Sequence, residues 1–532
     1  MEVQTDNFHF LCAIFGIFTI LFAFVSYLLK ERLFISDPLL SFVVGAVAGP
    51  ATGLLQFEAW SGGAVHLEAH TLNFTRLSLC VQVLISGVQL PKRFLAKSWA
   101  SMLVMLLLGM IIMWLMSALL IWAICLLADD TSADGGSRRM SFLHALAIGS
   151  CLAPTDPILA STIIKGRWAD QHVPAQLAQI ISGESGANDG LGYPFLFLAL
   201  YLIAYAGGDS QGPALEGGPS MAMSLLFGNI VAYVVLLGVI WGAVVGYASA
   251  KLLRLCRNLH YVDHESFFAF PILFAVFLIG TCGMAGSDDI LAAFVAGNAL
   301  SWDDWFRRNT SEDSFASTFE LFLNLALFIY LGATCPWDVF HTTSSNLSQW
   351  HIPLWRLFCL AIAILVLRRL PMLLLFYKAG LLRRHVKSLG QAAFMGFFGP
   401  MGISSIFYLH EILRFSREKL SDQDGRMSLA GQELFEAARQ VVWFVVTSSI
   451  IVHGLAIPFW QAVTRIRIHI FPSTIRPGYA HAGVREFVEK ERHAICHALK
   501  VNRQEKPDAK EQYGTPISHH ARPKPVFRQL KA

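Results

Sequence analysis

The sequence is poor in charged residues. Asp, Glu, Lys and Arg make up 15% of the 532 residues, whereas 55% are hydrophobic. Soluble globular chains carry about 25% charged residues, so this chain could not cover a single soluble core of its size. The composition excludes a disordered protein, a coiled coil and a nucleic-acid-binding protein, and the net charge of +4 is too small to indicate a polyanionic partner. It predicts a polytopic membrane protein whose main surroundings are lipids.

Motifs for cofactors and covalent frameworks are also missing. The nine cysteines are scattered, mostly within apolar runs, and no pair has metal-ligand spacing. No Gly-Lys pair occurs in the chain, which excludes a Walker-type nucleotide loop and argues against an ATP-driven pump. No intramembrane His/Glu zinc motif and no serine–histidine pairing indicates an enzyme. We therefore expect no cofactor, no nucleotide and no enzymatic activity.

Apolar segments long enough to cross a bilayer recur along the chain. A helical span needs about 20 mostly apolar residues, and thirteen candidates run approximately 8–29, 38–55, 73–91, 101–127, 141–164, 176–206, 224–250, 265–283, 286–300, 315–335, 357–377, 391–413 and 434–461. The first has no basic flank and no small-residue cleavage site after it, which favours a retained helix over a cleaved signal. We expect an all-α transmembrane domain over 1–462 and a short cytoplasmic tail over 463–532, largely disordered.

Basic residues in the loops predict the orientation. Starting with the loop after the first helix, alternate loops hold sixteen Lys or Arg residues, and the other set holds seven. Because cytoplasmic loops carry the excess of positive charge, we expect the N-terminus outside and the C-terminus in the cytoplasm. The loop around 414–432 is an exception that this rule does not explain. The six histidines of the tail leave open a pH-sensing or partner-binding role.

The fifth span contains an acid between two prolines. Pro154 and Pro157 flank Thr155 and Asp156 in the middle of this span. Two prolines three residues apart remove two backbone donors and disfavour helix at the preceding residues. An ionisable residue inside a span is costly and marks a functional site by default. The pattern predicts a broken helix whose free backbone groups line a polar site around Asp156.

The sixth span contains two acids. Glu184, Asn188 and Asp189 fall within one and a half turns, and Glu184 and Asn188 share a helix face because they are four residues apart. Glycines, alanine and serine flank them and should allow another backbone to approach closely. Two acids in one span cannot both face lipid. At least one of them therefore needs a cation, a basic partner or a proton.

The ninth span opens with a further acidic pair. Asp288 and Asp289 follow Ser287 and precede an apolar run. Ser287 is suited to cap the helix, with the acids favoured by the helix dipole. The alternative is a pair that attracts cations in a vestibule. The sequence leaves both interpretations open.

Two arginines and a second glycine–proline break follow in the eleventh and twelfth spans. Arg368 and Arg369 lie near the middle of the eleventh span, about ten residues from either end, so they require acidic partners. Glu184 is the natural partner for one of them. The twelfth span contains the sequence GFFGPMGISSIFY, 396–408, which predicts another interrupted helix. Corresponding breaks in the fifth and twelfth spans indicate inverted repeats with the site at their crossing.

Several segments together resemble the fungal plasma-membrane sodium/proton antiporters of the monovalent cation:proton antiporter superfamily. The matching segments are APTDP at 153–157, ESGANDG at 184–190, GSDDILAAFVAGNAL at 286–300, RRLP at 368–371 and GPMGISSIFY at 399–408. This resemblance implies a fold of thirteen helices with a dimerisation domain and a core domain. It also implies two broken helices that cross near the ion site, a homodimer, and alternating access by movement of the core.

The same resemblance implies roles for individual residues. The ion- and proton-binding residues are expected to be Asp189, Asp156, Asn188 and Thr155, with Asp189 and Asp156 as ligands of the transported Na⁺. Glu184 is expected to form a structural ion pair with Arg368, which fits the family's Arg-x-Leu pattern, although Arg369 remains open. Asp288 and Asp289 match an auxiliary acidic pair typical of the fungal branch.

The expected function is secondary active transport. Titratable acids within spans, an arginine counter-charge and the missing nucleotide motif fit an antiporter that exchanges cytoplasmic Na⁺, and also Li⁺ or K⁺, for external H⁺. The resemblance places this exchange in the plasma membrane, in salt tolerance and in pH and cation homeostasis. The alternatives are a K⁺/H⁺ antiporter of an internal membrane and a receptor or scaffold that transports nothing. A channel would need a filter sequence, and none is visible.

Overall fold

Helices are the main secondary structure in the part of the chain that the structure describes. The computed structural model describes residues 7–126, 140–207, 215–310, 315–341, 352–421 and 426–470. Within these ranges the only extended pairing is an isolated bridge between Ser421 and Met427. The all-α prediction is therefore confirmed. The prediction of a disordered tail falls mostly on 471–532, which lies outside the described residues.

The described residues of the first half fold into eleven helices. In chain order they are α1 (Asn7–Tyr27), α2 (Asp37–Ala46), α3 (Phe57–Ser61), α4 (Ala64–Gln89), α5 (Phe94–Leu103), α6 (Met110–Ile121), α7 (Phe142–Cys151), α8 (Pro157–Ile164), α9 (Arg167–His172), α10 (Ala175–Asn188) and α11 (Tyr193–Ala206). Wider π-helical segments extend several helices: Leu28–Leu33, Val47–Ala51, Val104–Gly109, Trp122–Leu126 and, in the second half, Leu226–Val235. They continue α1, α2, α5 and α6, and join α12 to α13.

The described residues of the second half fold into twelve helices, of which α23 is the longest. Its helices are α12 (Gly218–Leu225), α13 (Leu236–Asn258), α14 (His264–Ala285), α15 (Asp289–Leu300), α16 (Trp305–Thr310), α17 (Phe315–Thr334), α18 (Asp338–His341), α19 (Leu354–Leu367), α20 (Leu370–Lys378), α21 (Leu389–Phe397), α22 (Ile403–Lys419) and α23 (Leu429–Ile470). Each of the thirteen predicted segments coincides with one of these helices or with a pair. Nine helices in the described residues are long and apolar enough to cross a membrane.

Helix α4 packs against several other helices. It packs against α10, α14, α15 and α22, and α15 in turn packs against α13. A Cβ added at Gly87 of α4 would lie 2.6 Å from the Phe294 carbonyl oxygen of α15, and one added at Gly246 of α13 would lie 2.7 Å from Ala296 Cα. The helices approach this closely because small residues line both interfaces. Helix α15 is thereby fixed between α4 and α13.

The fifth and twelfth spans are interrupted, as predicted. Helix α7 ends at Cys151 and α8 begins at Pro157, whereas α21 ends at Phe397 and α22 begins at Ile403. The two breaks meet, because the Asp156 N–H donates to the Pro400 carbonyl at 2.9 Å. The prediction of two crossing broken helices is therefore confirmed.

The sixth and eleventh spans, for which no break was predicted, are also interrupted. The sixth is interrupted between Asn188 and Tyr193, where Gly190 and Gly192 supply no helix-stabilising side chain and Pro194 opens α11. The eleventh is interrupted between Leu367 and Leu370, just before its proline. Glycine near Asp189 was interpreted only as a sign of close packing, so the first of these breaks was missed.

Candidate ion-binding site

Asp156 is the residue on which the two broken spans cross. Its Oδ1 accepts hydrogen bonds from the Ile158 and Leu159 N–H groups at 2.8 and 2.9 Å, so it caps α8. Its Oδ2 accepts from the Ile403 N–H, at the first residue of α22, at 2.6 Å. The positive ends of two helix dipoles therefore face one buried carboxylate. The capping bonds stabilise the negative charge without an arginine or a lysine.

Gly402 makes room for that carboxylate. A Cβ added at this glycine would lie 2.6 Å from Cγ and 3.0 Å from Cβ of Asp156. Real Cβ atoms do not approach carbon this closely, so a larger residue would force the crossing apart. Glycine at this position is thus a steric requirement of the site.

Asn188 of α10 forms hydrogen bonds with Thr155, the neighbour of Asp156 in the break between α7 and α8. Its Nδ2 donates to Thr155 Oγ1 at 2.8 Å, and its Oδ1 accepts from the Thr155 N–H at 3.3 Å. All four polar groups are buried. The amide of α10 therefore satisfies a backbone donor that the broken helix leaves free, and it brings α10 to the crossing.

Asp189 differs from these residues because its carboxylate is unsatisfied. The residue is fully buried, and neither carboxylate oxygen has a hydrogen-bond partner among the described residues. It lies close enough to Asp156 for the two charges to interact, and the Ser404 hydroxyl is nearby. Tyr408 donates its hydroxyl proton to the Asp189 backbone carbonyl, which leaves the carboxylate free. A bare carboxylate in such a place needs a proton or a metal cation.

The ion pair of Glu184 is formed with Arg369, which corrects the expectation of Arg368. Arg369 Nη1 and Nη2 donate to the two carboxylate oxygens of Glu184, each at 2.7 Å. Its Nε donates to the Met395 carbonyl at 3.0 Å, and both charged side chains are buried. Arg369 is the residue before α20 and has a non-helical φ of −121°. Both arginine side chains lie close to Gly399, but their guanidinium groups bind different partners.

Arg368 instead binds the crossing itself. Its guanidinium donates to the Leu152 carbonyl at the end of α7 and to the Gly399 carbonyl beyond α21. Helix C-terminal ends carry partial negative charge, which a cation stabilises. The crossing therefore has Asp156 on its two helix N-terminal ends and Arg368 near its two C-terminal ends.

Comparisons with known proteins agree with this geometry. The family model described as sodium/hydrogen exchanger, transmembrane, matches residues 20–462. This chain belongs to the sodium/hydrogen exchanger family. A probable Na⁺/H⁺ antiporter of Schizosaccharomyces pombe is 34% identical over 472 residues, which are 87% of this chain and 57% of that protein. Na⁺/H⁺ antiporter 2 of Zygosaccharomyces rouxii is 32% identical, over 86% of this chain and 53% of that protein.

The chain thus spans about half the length of these two relatives. Among solved structures, the sodium proton antiporter MjNhaP1 of Methanocaldococcus jannaschii at pH 8 has a TM-score of 0.56 at 17% identity, over 85% of this chain and all of that one. At this identity the likeness shows the fold alone. The exchanger-family fold and the fungal resemblance expected from the motifs are both confirmed.

The acidic pair of this exchanger-family chain has partners of its own. Asp288, and not Ser287, caps α15, since its Oδ1 accepts from the Leu291 N–H at 2.9 Å. Ser287 donates its hydroxyl to the Val234 carbonyl at 3.0 Å. Asp289 forms an ion pair with Arg76 of α4, with 2.5 Å between Asp289 Oδ2 and Arg76 Nε. The cap interpretation therefore accounts for one oxygen of Asp288, and Asp289 has an arginine partner.

Sequence reasoning missed Arg76 and Glu411. Arg76 lies inside the third predicted span and Glu411 inside the twelfth. The rule that singled out Asp156 and Asp189, an ionisable residue within a span, applies equally to both and would have found them. Tyr408 carried no such signal, because a tyrosine in an apolar segment is usually part of the core.

Proposed function

We propose that this chain is a secondary active antiporter that exchanges cytoplasmic Na⁺ for external H⁺. Li⁺ and K⁺ are further candidate ions. The observation that carries the proposal is the buried carboxylate of Asp189, which has no partner among the described residues, beside the crossing of two broken helices. The family of the chain and the names of its relatives support the choice of ions.

Competition for one carboxylate accounts for exchange. An ionised Asp189 binds the cation, and a protonated Asp189 releases it, so each transported species excludes the other. Thr155 and Asn188, the residue before Asp189, bond to each other and carry oxygen atoms of the kind that hard cations prefer. Asp156 already directs both of its oxygens to backbone N–H groups. In this mechanism Asp156 holds the crossing together and adds negative charge near the cation.

We further propose a homodimer in the plasma membrane, with the N-terminus outside and the C-terminus in the cytoplasm. The excess of basic residues in alternate loops supports this orientation. Little of the first helix, Phe8–Lys30, is buried, and side chains such as Ile17, Leu21 and Phe24 are exposed, as expected of a surface that faces lipid or a second subunit. The membrane and the dimer rest on the resemblance described above.

Ion-pulse measurements test the proposed exchange. The purified protein is reconstituted in proteoliposomes that contain a pH-sensitive dye, and Na⁺, Li⁺ or K⁺ is added in turn, with choline as the control. We expect rapid alkali-cation-dependent proton movement, fastest with Na⁺ or Li⁺, and none with choline. A response to K⁺ alone would favour the K⁺/H⁺ alternative. Folded protein that moved no protons with any cation would be a receptor or scaffold instead.

A further inference from the structure

A second buried polar cluster lies beside the site and has not been used so far. We call it the Arg76 cluster, and its members are Arg76 of α4, Asp288 and Asp289 at the start of α15, and Glu411 of α22. The three acids are almost completely buried, with exposed fractions of 0 to 2%. The Arg76 side chain is 25% exposed and bonds Asp289 at 2.5 Å. One arginine thus lies among three acids that come from two other helices.

Carboxylates outnumber the available cations in this cluster. Glu411 pairs at 2.7 Å with Arg414, whose side chain is half exposed, and Asp289 pairs with Arg76. Asp288 forms no ion pair with either arginine. One of its oxygens caps α15, and the other has no hydrogen-bond partner in the described part of the chain. The side chain is fully buried, so its charge requires a proton or a cation. The Arg76 guanidinium already pairs with Asp289, so the carboxylates of the cluster are placed to bind a positive charge.

Two tyrosines connect the cluster to Asp189. Tyr408 lies three residues before Glu411 on α22, donates to the Asp189 backbone carbonyl, and interacts electrostatically with Asp288. The ring of Tyr193 packs edge-on against it, with 5.6 Å between centroids, and its hydroxyl interacts with Glu411, Asp288 and Asp289. The hydroxyl of Tyr408 and the ring of Tyr193 thus connect the backbone of Asp189 to the Arg76 cluster.

The cluster lies toward one end of the bundle. Helices α4 and α22 continue from it to the ion pair of Glu68 with Arg417, near the start of one helix and the end of the other. In the orientation proposed above, this is the external end. The cluster would then lie between Asp189 and the external end of these helices.

We propose that the Arg76 cluster is a second alkali-cation site on the external side of Asp189. In this site the Arg76 guanidinium is a built-in cation that competes with the transported cation for Asp289 and Asp288. The proposal rests on the proposed antiport for its transport role. Arg76 lowers the affinity of the external side for cations, and this favours release of the exported cation and hinders its return. Cytoplasmic binding does not involve the cluster and is independent of Arg76.

Side-specific kinetics test the competition. Arg76→Gln removes the built-in cation, so we expect the apparent affinity for external Na⁺ to rise at least threefold while the cytoplasmic affinity stays the same. Asp288→Asn preserves the cap and should lower the external affinity at least threefold. The matched control is Arg417→Gln, which removes an arginine paired with an acid between the same two helices, and it should change neither affinity. Equal changes on both sides, or no change in Arg76→Gln and Asp288→Asn, would overturn the proposal.

Binding to a variant that cannot transport separates this proposal from the antiport itself. In the Asp189→Asn background, radioactive Na⁺ binding to purified protein reports on the cluster alone. Adding Arg76→Gln should produce saturable binding of about one Na⁺ per chain, and adding Asp288→Asn as well should abolish it. Absence of saturable binding in the folded Arg76→Gln variant would refute the site even if exchange were established. If that variant bound Na⁺ saturably but the wild-type protein showed no exchange, the antiport would be refuted and the proposed site would remain. If Arg76→Gln does not fold, Arg76→Gln/Asp289→Asn, in which neither member of that ion pair is left without its partner, takes its place. Saturable Na⁺ binding that Asp288→Asn abolishes would then support the site, and absence of saturable binding would refute it.

Discussion

At the scale of residues, the number of protein partners separates the intramembrane acids by role. Glu184 has a bidentate arginine, and Asp156 has three backbone N–H donors. Asp189 has no hydrogen-bond partner for its carboxylate among the described residues. A satisfied carboxylate is suited to hold helices together, whereas an unsatisfied one is suited to exchange ligands. This difference, more than the presence of acids in the spans, supports the proposal that Asp189 alternates between cation and proton.

The Glu184–Arg369 pair should behave as one unit in stability. Removing either partner leaves a buried charge uncompensated, which costs roughly 3–5 kcal/mol. We therefore expect Glu184→Gln and Arg369→Ala each to lower the thermal stability of detergent-purified protein strongly, and more than Asp189→Asn does. The double variant should recover part of the loss because neither charge is then orphaned.

The adjacent arginine supplies the control for this cycle. Arg368→Ala breaks hydrogen bonds to the crossing and should also destabilise, but its effect should add to that of Glu184→Gln without recovery. Additive effects for Arg369, or recovery for Arg368, would show that the pairing is different from the one described.

Gly402 should not tolerate a methyl group. The added Cβ would meet Asp156 at the crossing, and overpacking of this kind costs roughly 1–3 kcal/mol or more. We expect Gly402→Ala to lower thermal stability and to abolish exchange. Gly280→Ala is the matched control, because a Cβ there meets nothing within 4 Å. Equal stability of the two variants would contradict the steric argument.

Residue roles were only partly predictable from the sequence. The requirement that Glu184 needs a basic partner follows from its position in a span, and the structure supplies that partner. Which of two adjacent arginines it would be could not be deduced, since the helix break between Leu367 and Leu370 sets the direction of each side chain. The sequence also could not show that the Asp189 carboxylate lacks a hydrogen-bond partner among the described residues, because this depends on the direction of the Tyr408 hydroxyl.

At the scale of elements, the first residues of α15 combine a cap and an ion pair. Asp288→Asn keeps a good capping residue and loses a charge–dipole interaction of roughly 0.3–1 kcal/mol. Asp289→Asn leaves the partly buried Arg76 without its carboxylate, for which we expect a larger loss of roughly 1–3 kcal/mol. Thermal unfolding of the two variants measures the order, and a more severe effect of Asp288→Asn would contradict it.

The loop between α20 and α21 contains a buried histidine. His385 Nε2 lies 3.2 Å from Ser98 Oγ and its Nδ1 lies 3.2 Å from Ser101 Oγ, while the edge of the Phe94 ring packs against it. Burial lowers the pKa of His385, and the positive charge of the neighbouring Arg384 lowers it further. The folded protein therefore favours the neutral imidazole.

This histidine should make the fold sensitive to acid. Because the pKa of the folded state is below the ordinary value of about 6.5, the unfolded chain binds the proton first as the pH falls. Stability from this group is complete above about pH 6.5 and is lost as the pH falls toward the lower folded pKa, by at most about 1.4 kcal/mol per pH unit. His385→Gln should therefore flatten the decline of thermal stability between about pH 7 and 5. An unchanged decline would show that His385 is not responsible.

Breaks within helices were predicted where a second proline or several glycines accompanied a proline, and the break before the single Pro371 was not predicted. The bracket of Pro154 and Pro157 and the glycines around Pro400 predicted both halves of the crossing. The break after Asn188 was missed, because glycines that permit close packing and glycines that end a helix look the same in a sequence. The packing that distinguishes them, such as Gly190 against Leu291, is a property of the tertiary structure.

At the scale of the whole molecule, the crossing is an electrostatic assembly of four helix ends. Asp156 faces the positive ends of α8 and α22, and Arg368 binds carbonyls at the negative ends of α7 and α21. Helix α10 is connected to the crossing through Asn188 and Glu184, so Asp189 belongs to the same group of packed helices. Composition predicted a helical membrane protein, and the motifs predicted the family. The contacts between distant spans required the structure.

One comparison tests the central claim, that a single carboxylate at position 189 carries cation and proton in turn. Wild-type protein and folded Asp189→Asn, matched for amount and thermal stability, are reconstituted side by side. Uptake of radioactive Na⁺ and proton movement are then measured in the same vesicles. We predict that wild-type protein shows both fluxes and that Asp189→Asn shows neither. Normal sodium-dependent proton movement in correctly folded Asp189→Asn would contradict the account.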